Sequence, residues 1–348
     1  MAAYTAVDDP EAHFQVQLYT GNGSADHAIT LGGDTDMQPD WVWIKNRDAA
    51  DSHCIFDALR GPGKVFNSNH YEESDDADTL DAFQSDGFRV DADVKVNTNT
   101  EKYVAWCWKA NGSGSANTAG SINTTATSAN TTSGFSIIQY TGNATNGATI
   151  GHGLGVAPTL MISRNQSNNS WSLYWKVLGP TKFMTLESNA SIGTSANRLN
   201  STDPSTTLIT LGSDNEANKN ATGTLMYAFA PVQGFSKFGK YVGNANADGN
   251  FVYLGFKPAL VIVKKSSATD NWFMFDNKRE GYNAINDALR PNLNNAELDL
   301  SGVGMDLLSN GFKLRSGDDD LNDSNTFVYM AFAEQPLVNS NGVPCTAR

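Results

Sequence analysis

The apolar residues of this 348-residue chain fall in short runs rather than long stripes. Val, Ile, Phe, Tyr and Trp dominate the runs, and clusters of Gly, Asn, Asp and Ser separate them, the pattern of antiparallel strands joined by turns. In the first run Phe14, Val16 and Leu18 share one side and Gln15, Gln17 and Tyr19 the other, which predicts a strand with one buried face. Long helical periodicity is absent. Helical turns are predicted only around Tyr282 to Leu289 and around Asp78 to Phe83.

The runs recur in a fixed order. Phe135-Ser-Ile-Ile-Gln-Tyr140-Thr-Gly-Asn143 has a counterpart in Phe14 to Asn22 and, with one extra residue, in Phe235 to Asn244. Each is followed by a proline heading an apolar strand that ends in a basic residue, Pro39 to Lys45, Pro158 to Arg164 and Pro258 to Lys264. Cys54, Trp171 and Trp272 come next, and each set closes on an aromatic strand: Tyr103 to Trp108, Thr224 to Phe229 and Phe327 to Phe332. Gly87-Phe88 and Gly311-Phe312 start a further strand, with Ile209 as the middle equivalent. The span from opening to closing aromatic is roughly 95 residues each time, a usual domain size. The pattern predicts a threefold internal repeat.

Short strands spaced by turns over such a length predict an all-β chain of three tandem β-sandwich repeats, jelly-roll or lectin-like. The predicted divisions are repeat one at 1–110, a Ser/Thr/Asn/Gly-rich linker at 111–133, repeat two at 134–231, repeat three at 232–337 and a tail at 338–348. The linker is too poor in apolar residues to fold alone and reads as a free connection or as a strap across a neighbour.

Charge narrows the partners. With 24 basic and 37 acidic residues the net charge is −13, which repels nucleic-acid backbones. No apolar stretch is long enough to span a bilayer as a helix, and the first residues have neither the basic start nor the apolar core of a secretory signal. Cys54, Cys107 and Cys345 form neither a disulfide framework nor a metal-ligand spacing, and Cys107, aligned with Ala228 and Ala331, reads as a small buried residue. Asn-x-Ser/Thr triplets, such as those at Asn123, Asn143, Asn168 and Asn200, follow from a composition rich in these residues.

Candidate chemistry is sparse. His152 lies in Gly-His-Gly but has no equivalent in the other sets, and there is no Gly-x-Ser-x-Gly elbow, so it reads as a turn residue. Ser316 to Asp323 and Glu72 to Asp78 are acidic enough to invite calcium, yet they lack spaced ligands and a closing glutamate, and they read as solvated loops. Trp41, Trp43, Trp171, Trp175 and Trp272 are the candidates for a sugar-stacking surface. Trp41 and Trp43 share a face, and Leu160 and Ile162 at the equivalent positions argue that this face is buried. No catalytic, cofactor-binding or metal site is assigned.

The combination of Gly134-Phe-Ser with Tyr140-Thr-Gly-Asn143, Gly151-His-Gly-Leu-Gly155 with Pro158, Trp106-Cys-Trp-Lys-Ala110, Gly234-Phe-Ser-Lys-Phe-Gly239, Leu308-Ser-Asn-Gly-Phe-Lys-Leu-Arg315 and Tyr329-Met-Ala-Phe-Ala-Glu334 resembles the repeated domain of tail-fibre-like virion proteins of tailed, often marine, bacteriophages. The resemblance runs from about Phe14 to Glu334. It implies a non-enzymatic structural virion protein, a tail fibre or receptor-binding appendage assembled in the host cytoplasm. Its implied partners are other virion proteins and a host surface receptor, with a glycan as one candidate, and by analogy it forms a homotrimer. No N-terminal anchor or coiled-coil shaft is legible, so a capsid decoration protein is the alternative; a surface polysaccharide depolymerase is the second.

Overall fold

The computed structural model describes residues 5–71, 73–167 and 170–346. Asn168 of the sequons and Glu72 of the first acidic run lie outside the described residues.

Almost all regular structure is antiparallel β-sheet, and three main sheets share one strand order. In the first, Phe14–Thr20, Lys102–Trp108, Trp41–Asn46 and Cys54–Asp57 lie side by side, extended by Lys64–Asn67 and Glu73–Asp75. In the second the order is Phe135–Thr141, Gly223–Phe229, Leu160–Asn165 and Ser172–Trp175. In the third it is Ser236–Val242, Thr326–Pro336, Phe256–Lys265 and Trp272–Asp276. The registers agree as well: Trp41 faces Trp108, Leu160 faces Phe229 and Leu260 faces Phe332. Pro39 and Pro158 stand just before their strands, where no ladder donor is lost, whereas Pro258 sits inside its strand at a register shift.

These strands are buried on both faces, not on the single face their alternation predicts. One face of each main sheet is covered by a small sheet of its own. In the first, His27–Thr30, Gly87–Val90 and Leu80–Gln84 enclose Val42, Ile44, Ala105 and Cys107. In the second, Thr149–Gly151 and Leu208–Thr210 place Ile150 and Ile209 against Ile138, Tyr140 and Met226. In the third the cover is Phe251–Tyr253, Gly311–Leu314 and Met305–Leu308. Each main sheet with its cover is therefore a small β-sandwich.

The opposite faces of the main sheets meet one another. Trp41 lies 4.6 Å from Tyr227, ring centre to ring centre, joining the first sheet to the second. Phe229 and Phe332, 5.8 Å apart, join the second to the third, and Phe332 and Phe14, 5.1 Å apart, close the circle. The result is one aromatic core walled by three sheets. Aromatic pairs in these geometries add about 0.5–1.5 kcal/mol beyond the area they bury.

The recurring Tyr-x-Gly-Asn has a single structural cause. The hydroxyls of Tyr19, Tyr140 and Tyr241 donate to the carbonyls of Val96, Ala217 and Leu321 at 2.8, 2.5 and 2.7 Å, the first two inside a short helix and the third inside a hydrogen-bonded turn. The amides of Asn22, Asn143 and Asn244 donate to the side-chain oxygens of Asn97, Asn218 and Asn322. A Cβ on the glycine between them would stand 2.1, 2.4 or 1.9 Å from a carbonyl of that turn, so only glycine passes. The turns themselves carry an unremarked signal, Asp93-x-x-x-Asn97, Asp214-x-x-x-Asn218 and Asp318-x-x-x-Asn322. The aspartate caps the turn, as in the bonds from the Lys95, Glu216 and Asp320 amides to Asp93, Asp214 and Asp318.

Three expectations need correction. Tyr282 to Leu289 is not helical: Asp287–Ala288 is a strand, and Ile285 and Leu289 bridge to Met305 and Met274, so the apolar pair serves two-sided strand burial. Asp78 to Phe83 enters the strand Leu80–Gln84, while the helical turns are Val94–Asn97 and Asn215–Asn218. The 111–133 segment is no free linker. Ala126–Asn130 adds an edge strand to the second sheet, Ile122 is buried, and Ile122 and Ser121 hold Thr149 of the covering sheet, so backbone hydrogen bonds supply what its composition lacks.

Candidate binding face

Most sequence candidates are absorbed by the fold. Trp41, Trp43, Trp171, Trp175 and Trp272 are all buried, so none offers a surface to a sugar. Trp171 and Trp272 instead pin neighbouring sheets together, their indole N–H groups donating to the carbonyls of Asn67 and Thr185 at 2.9 and 3.1 Å. The first sheet does the same with His53, not Cys54. His53 accepts from the Trp43 indole at 3.0 Å and faces the Arg290 backbone of the third unit. Burial, then the nearby Lys45 charge, holds its pKa well below the ordinary histidine value.

Beside these three rings stand the three strand-ending cations, all buried. Lys45 donates to the carbonyl of Ala49 at 2.9 Å, Arg164 to those of Asn67 and His70 at 3.1 and 2.9 Å, and Lys264 to that of Lys265 at 2.6 Å. They cap carbonyl ends rather than pairing at contact distance with carboxylates. Burial lowers the pKa of Lys45 and of Lys264 to about 8 and that of Arg164 to about 10. Two buried ion pairs, Arg60 with Asp57 at 2.5 Å and Arg279 with Asp276 at 2.6 Å, are also closed in. The Tyr227 hydroxyl donates to Asp57 at 3.0 Å across the junction of the first two sheets, leaving that carboxylate no open side.

His152 is buried in its turn, accepting from the Leu154 amide at 3.2 Å while its other ring nitrogen meets the Ser205 carbonyl, and it faces no nucleophile. Ser316 to Asp323 is not a solvated loop. It wraps Asn322, and Lys265 holds Asp319, Asp270 and Asp323 at 2.7, 2.9 and 3.2 Å, a cation already in place. Burial, with the neighbouring charges of Asp270 and Asp318, raises Asp320 to about 6. Among the described residues no group of His, Cys, Asp and Glu is spaced to hold a metal. Cys54, Cys107 and Cys345 are free thiols, the first two buried.

What remains open is a face that the sequence did not single out. In the third covering sheet Val252, Phe312 and Leu307 stand in register and point into the core. Their neighbours therefore lie on the opposite face, Phe251, Lys313 and Asp306 in one row and Tyr253, Gly311 and Leu308 in the next, with Asp306 and Gly311 themselves buried. Phe251 is 45% and Tyr253 54% exposed. The same positions carry Ala28 and Thr30 in the first covering sheet and Thr149 and Gly151 in the second, matched through Ile29, Ile150 and Val252. That alignment is the signal that finds the face.

Two cations near the face are paired with carboxylates. Lys313 bonds Asp248 at 2.8 Å, and Arg315 donates to Asp306 at 2.5 Å. Lys237 donates to the Tyr253 carbonyl at 2.7 Å, with its ammonium 5.4 Å from the Tyr253 ring centre. Tyr253 also forms the rim of a cleft of about 430 Å3, lined by Val232, Gly234, Lys237, Leu254, Gly255 and Leu337.

The fold defines an all-β protein of three small sandwiches sharing a core. Its sequence matches, over residues 9–336, a family described as a domain of unknown function, DUF7483, and the chain belongs to that family. One family profile thus spans all three sheets and the core between them. No curated protein and no solved structure is significantly similar to it.

Proposed function

We propose that this chain is a structural, non-enzymatic component of a phage particle, a tail fibre or receptor-binding appendage that attaches the particle to the host surface. The observation that carries the reading is the pair of exposed aromatics, Phe251 and Tyr253, on a sheet whose one other aromatic, Phe312, faces inward. Supporting it, the groups capable of chemistry, His152, Asp57 with Arg60 and Asp276 with Arg279, are spent on turns and junctions. Rigid repeated sheets suit a part that must present a surface rather than turn over a substrate. If the appendage is a homotrimer, three such faces per assembly would act by avidity, multiplying a weak site by about 10²–10⁴.

The test is to label intact virions with gold-tagged antibody against the chain and image them by electron microscopy. Label on the tail or its appendages is expected. Label spread over the head would replace this reading with capsid decoration, and release of reducing ends from host polysaccharide by the purified chain would replace it with depolymerisation.

A further inference from the structure

The outward face of the third covering sheet has the makings of a carbohydrate platform. Phe251 and Tyr253 are two residues apart on one strand, so their Cα atoms stand roughly 6.6 Å apart along it. Gly311 lies between Tyr253 and Leu308 in the cross-strand row. A Cβ there would meet the Val252 carbonyl at 2.1 Å and the Phe251 ring at 3.1 Å, so glycine permits the pairing and lets the Phe251 ring lie against the sheet. Both rings are held by a strand whose inward residues are locked in the core, which limits the ordering cost of binding.

The charges say what kind of ligand fits. The chain carries a net charge of −13, which repels polyanions. Beside the aromatics Lys313 is matched by Asp248 and Arg315 by the buried Asp306, so the charge of these two cations is largely cancelled, and Lys237 adds a donor at the Tyr253 end. A neutral polyhydroxyl chain is the complement of such a surface: its C–H faces lie on the aromatic rings and its hydroxyls reach the rim. A protein partner seeking an apolar patch would also have to cover the Lys313–Asp248 pair beside the aromatics, and burying an ion pair costs more than leaving it wet.

The ligand has room to continue. Tyr253 is shared by the platform and by the cleft of about 430 Å3 that runs past Lys237 and Gly255 toward Leu337. That volume lies within the roughly 300–1,000 Å3 range of ligand pockets. A site made of an open platform leading into a cleft suits a polymer, not a free monosaccharide.

We propose that this face binds a neutral polysaccharide, with pyranose rings stacked on Phe251 and Tyr253 and the chain continuing into the adjoining cleft; this rests on the host-attachment reading and supplies its ligand class. The probes are neutral glucan, mannan and galactan oligosaccharides, with a polyuronate as the acidic comparison, titrated calorimetrically against the full chain. Binding to at least one neutral polymer is expected, weakened about tenfold or more in Phe251→Ala and Tyr253→Ala, both retaining the wild-type melting temperature. Thr30→Ala, on the equivalent face of the first unit, should leave binding unchanged. Equal binding by the platform variants, no binding to any neutral polymer, or salt-sensitive binding to the polyuronate alone would each overturn the proposal. So would loss of self-association in the platform variants by sedimentation, which would make the face a contact between copies. Adsorption of the wild-type chain to host cells, measured in parallel, separates the two readings. A chain that adsorbs to cells but binds no neutral polymer keeps the attachment function and loses this ligand, whereas one that adsorbs to no cell loses the attachment function itself.

Discussion

The first and third covering sheets have the same three-stranded build and differ at the surface. In each, one buried row locks the sheet to its main sheet: Ile29 faces Phe88 in the first, and Val252 faces Phe312 in the third. In each, a glycine at the head of the central strand, Gly87 or Gly311, lets a neighbouring carbonyl approach to about 2 Å of where a Cβ would be. In each, a cation of the central strand or its end meets a carboxylate of the neighbouring strand, Arg89 with Asp81 and Arg315 with Asp306. The outward pair on the first strand changes from Ala28 and Thr30 to Phe251 and Tyr253. The scaffold is thus indifferent to what it displays there, and exposed aromatics kept on an indifferent scaffold point to binding rather than to folding.

The strongest way to break that comparison is to attack what the two regions share. Phe332→Ala, at the meeting point of all three main sheets, should cost about 3–5 kcal/mol. Calorimetry should show one lowered transition for the whole chain. A melt in which only the third unit fails would mean that the core does not couple the sheets.

Next in size are the buried asparagines. Asn97→Ala and Asn322→Ala each leave the Asn22 or Asn244 amide without its acceptor and remove side-chain donors from neighbouring carbonyls. Each should cost about 2–3 kcal/mol, since orphaned buried groups cost roughly 1–3 kcal/mol apiece. Similar losses from chemical denaturation would confirm that the two units are built alike, and a much smaller loss on one side would separate them.

Acid–base behaviour gives a smaller effect. Lys45 and Lys264 have pKa values near 8 in the folded chain, below the ordinary 10.5. Between those values the unfolded chain binds protons that the folded one does not, so stability rises as pH climbs above 8 and is lost as pH falls back through it. The ceiling is about 1.4 kcal/mol per pH unit for each lysine. Between pH 8 and 9 denaturant midpoints should rise, and Lys264→Met should flatten the rise; a wild-type midpoint independent of pH would refute the assignment.

The smallest stability effects belong to the faces themselves. Phe251→Ala, Tyr253→Ala and the reciprocal Ala28→Phe with Thr30→Tyr should each shift stability by no more than about 0.5 kcal/mol. A larger loss from Phe251→Ala or Tyr253→Ala would show that the aromatics are structural after all.

Much of this architecture was legible. The recurring strands, the glycine-led pairs and the equivalence of Cys107 with Ala228 and Ala331 appear in the registers where the sequence put them. The shared core was not legible, because alternation in a strand tells which residues lie together and not how many faces are covered. Gln15 is the plain example: a polar residue on the supposed wet side, it is buried and donates to the Glu11 carbonyl. His53 was missed in favour of Cys54 because matching by residue type overlooks that a histidine, like a tryptophan, offers a ring with a polar nitrogen at its edge. The candidate face was hidden by the same ambiguity. In Phe251-Val-Tyr253-Leu254 either the aromatic or the aliphatic side can be the core, and only the packing of Val252 against Phe312 decides.

The most direct test of the account is competition with infection. Host cells would be preincubated with purified wild-type chain, with a Phe251→Ala, Tyr253→Ala double variant, or with Thr30→Ala, and plaques counted after adding phage. The account predicts that wild type and Thr30→Ala suppress plaques equally and that the double variant does not. Suppression by all three alike, or by none, would contradict it.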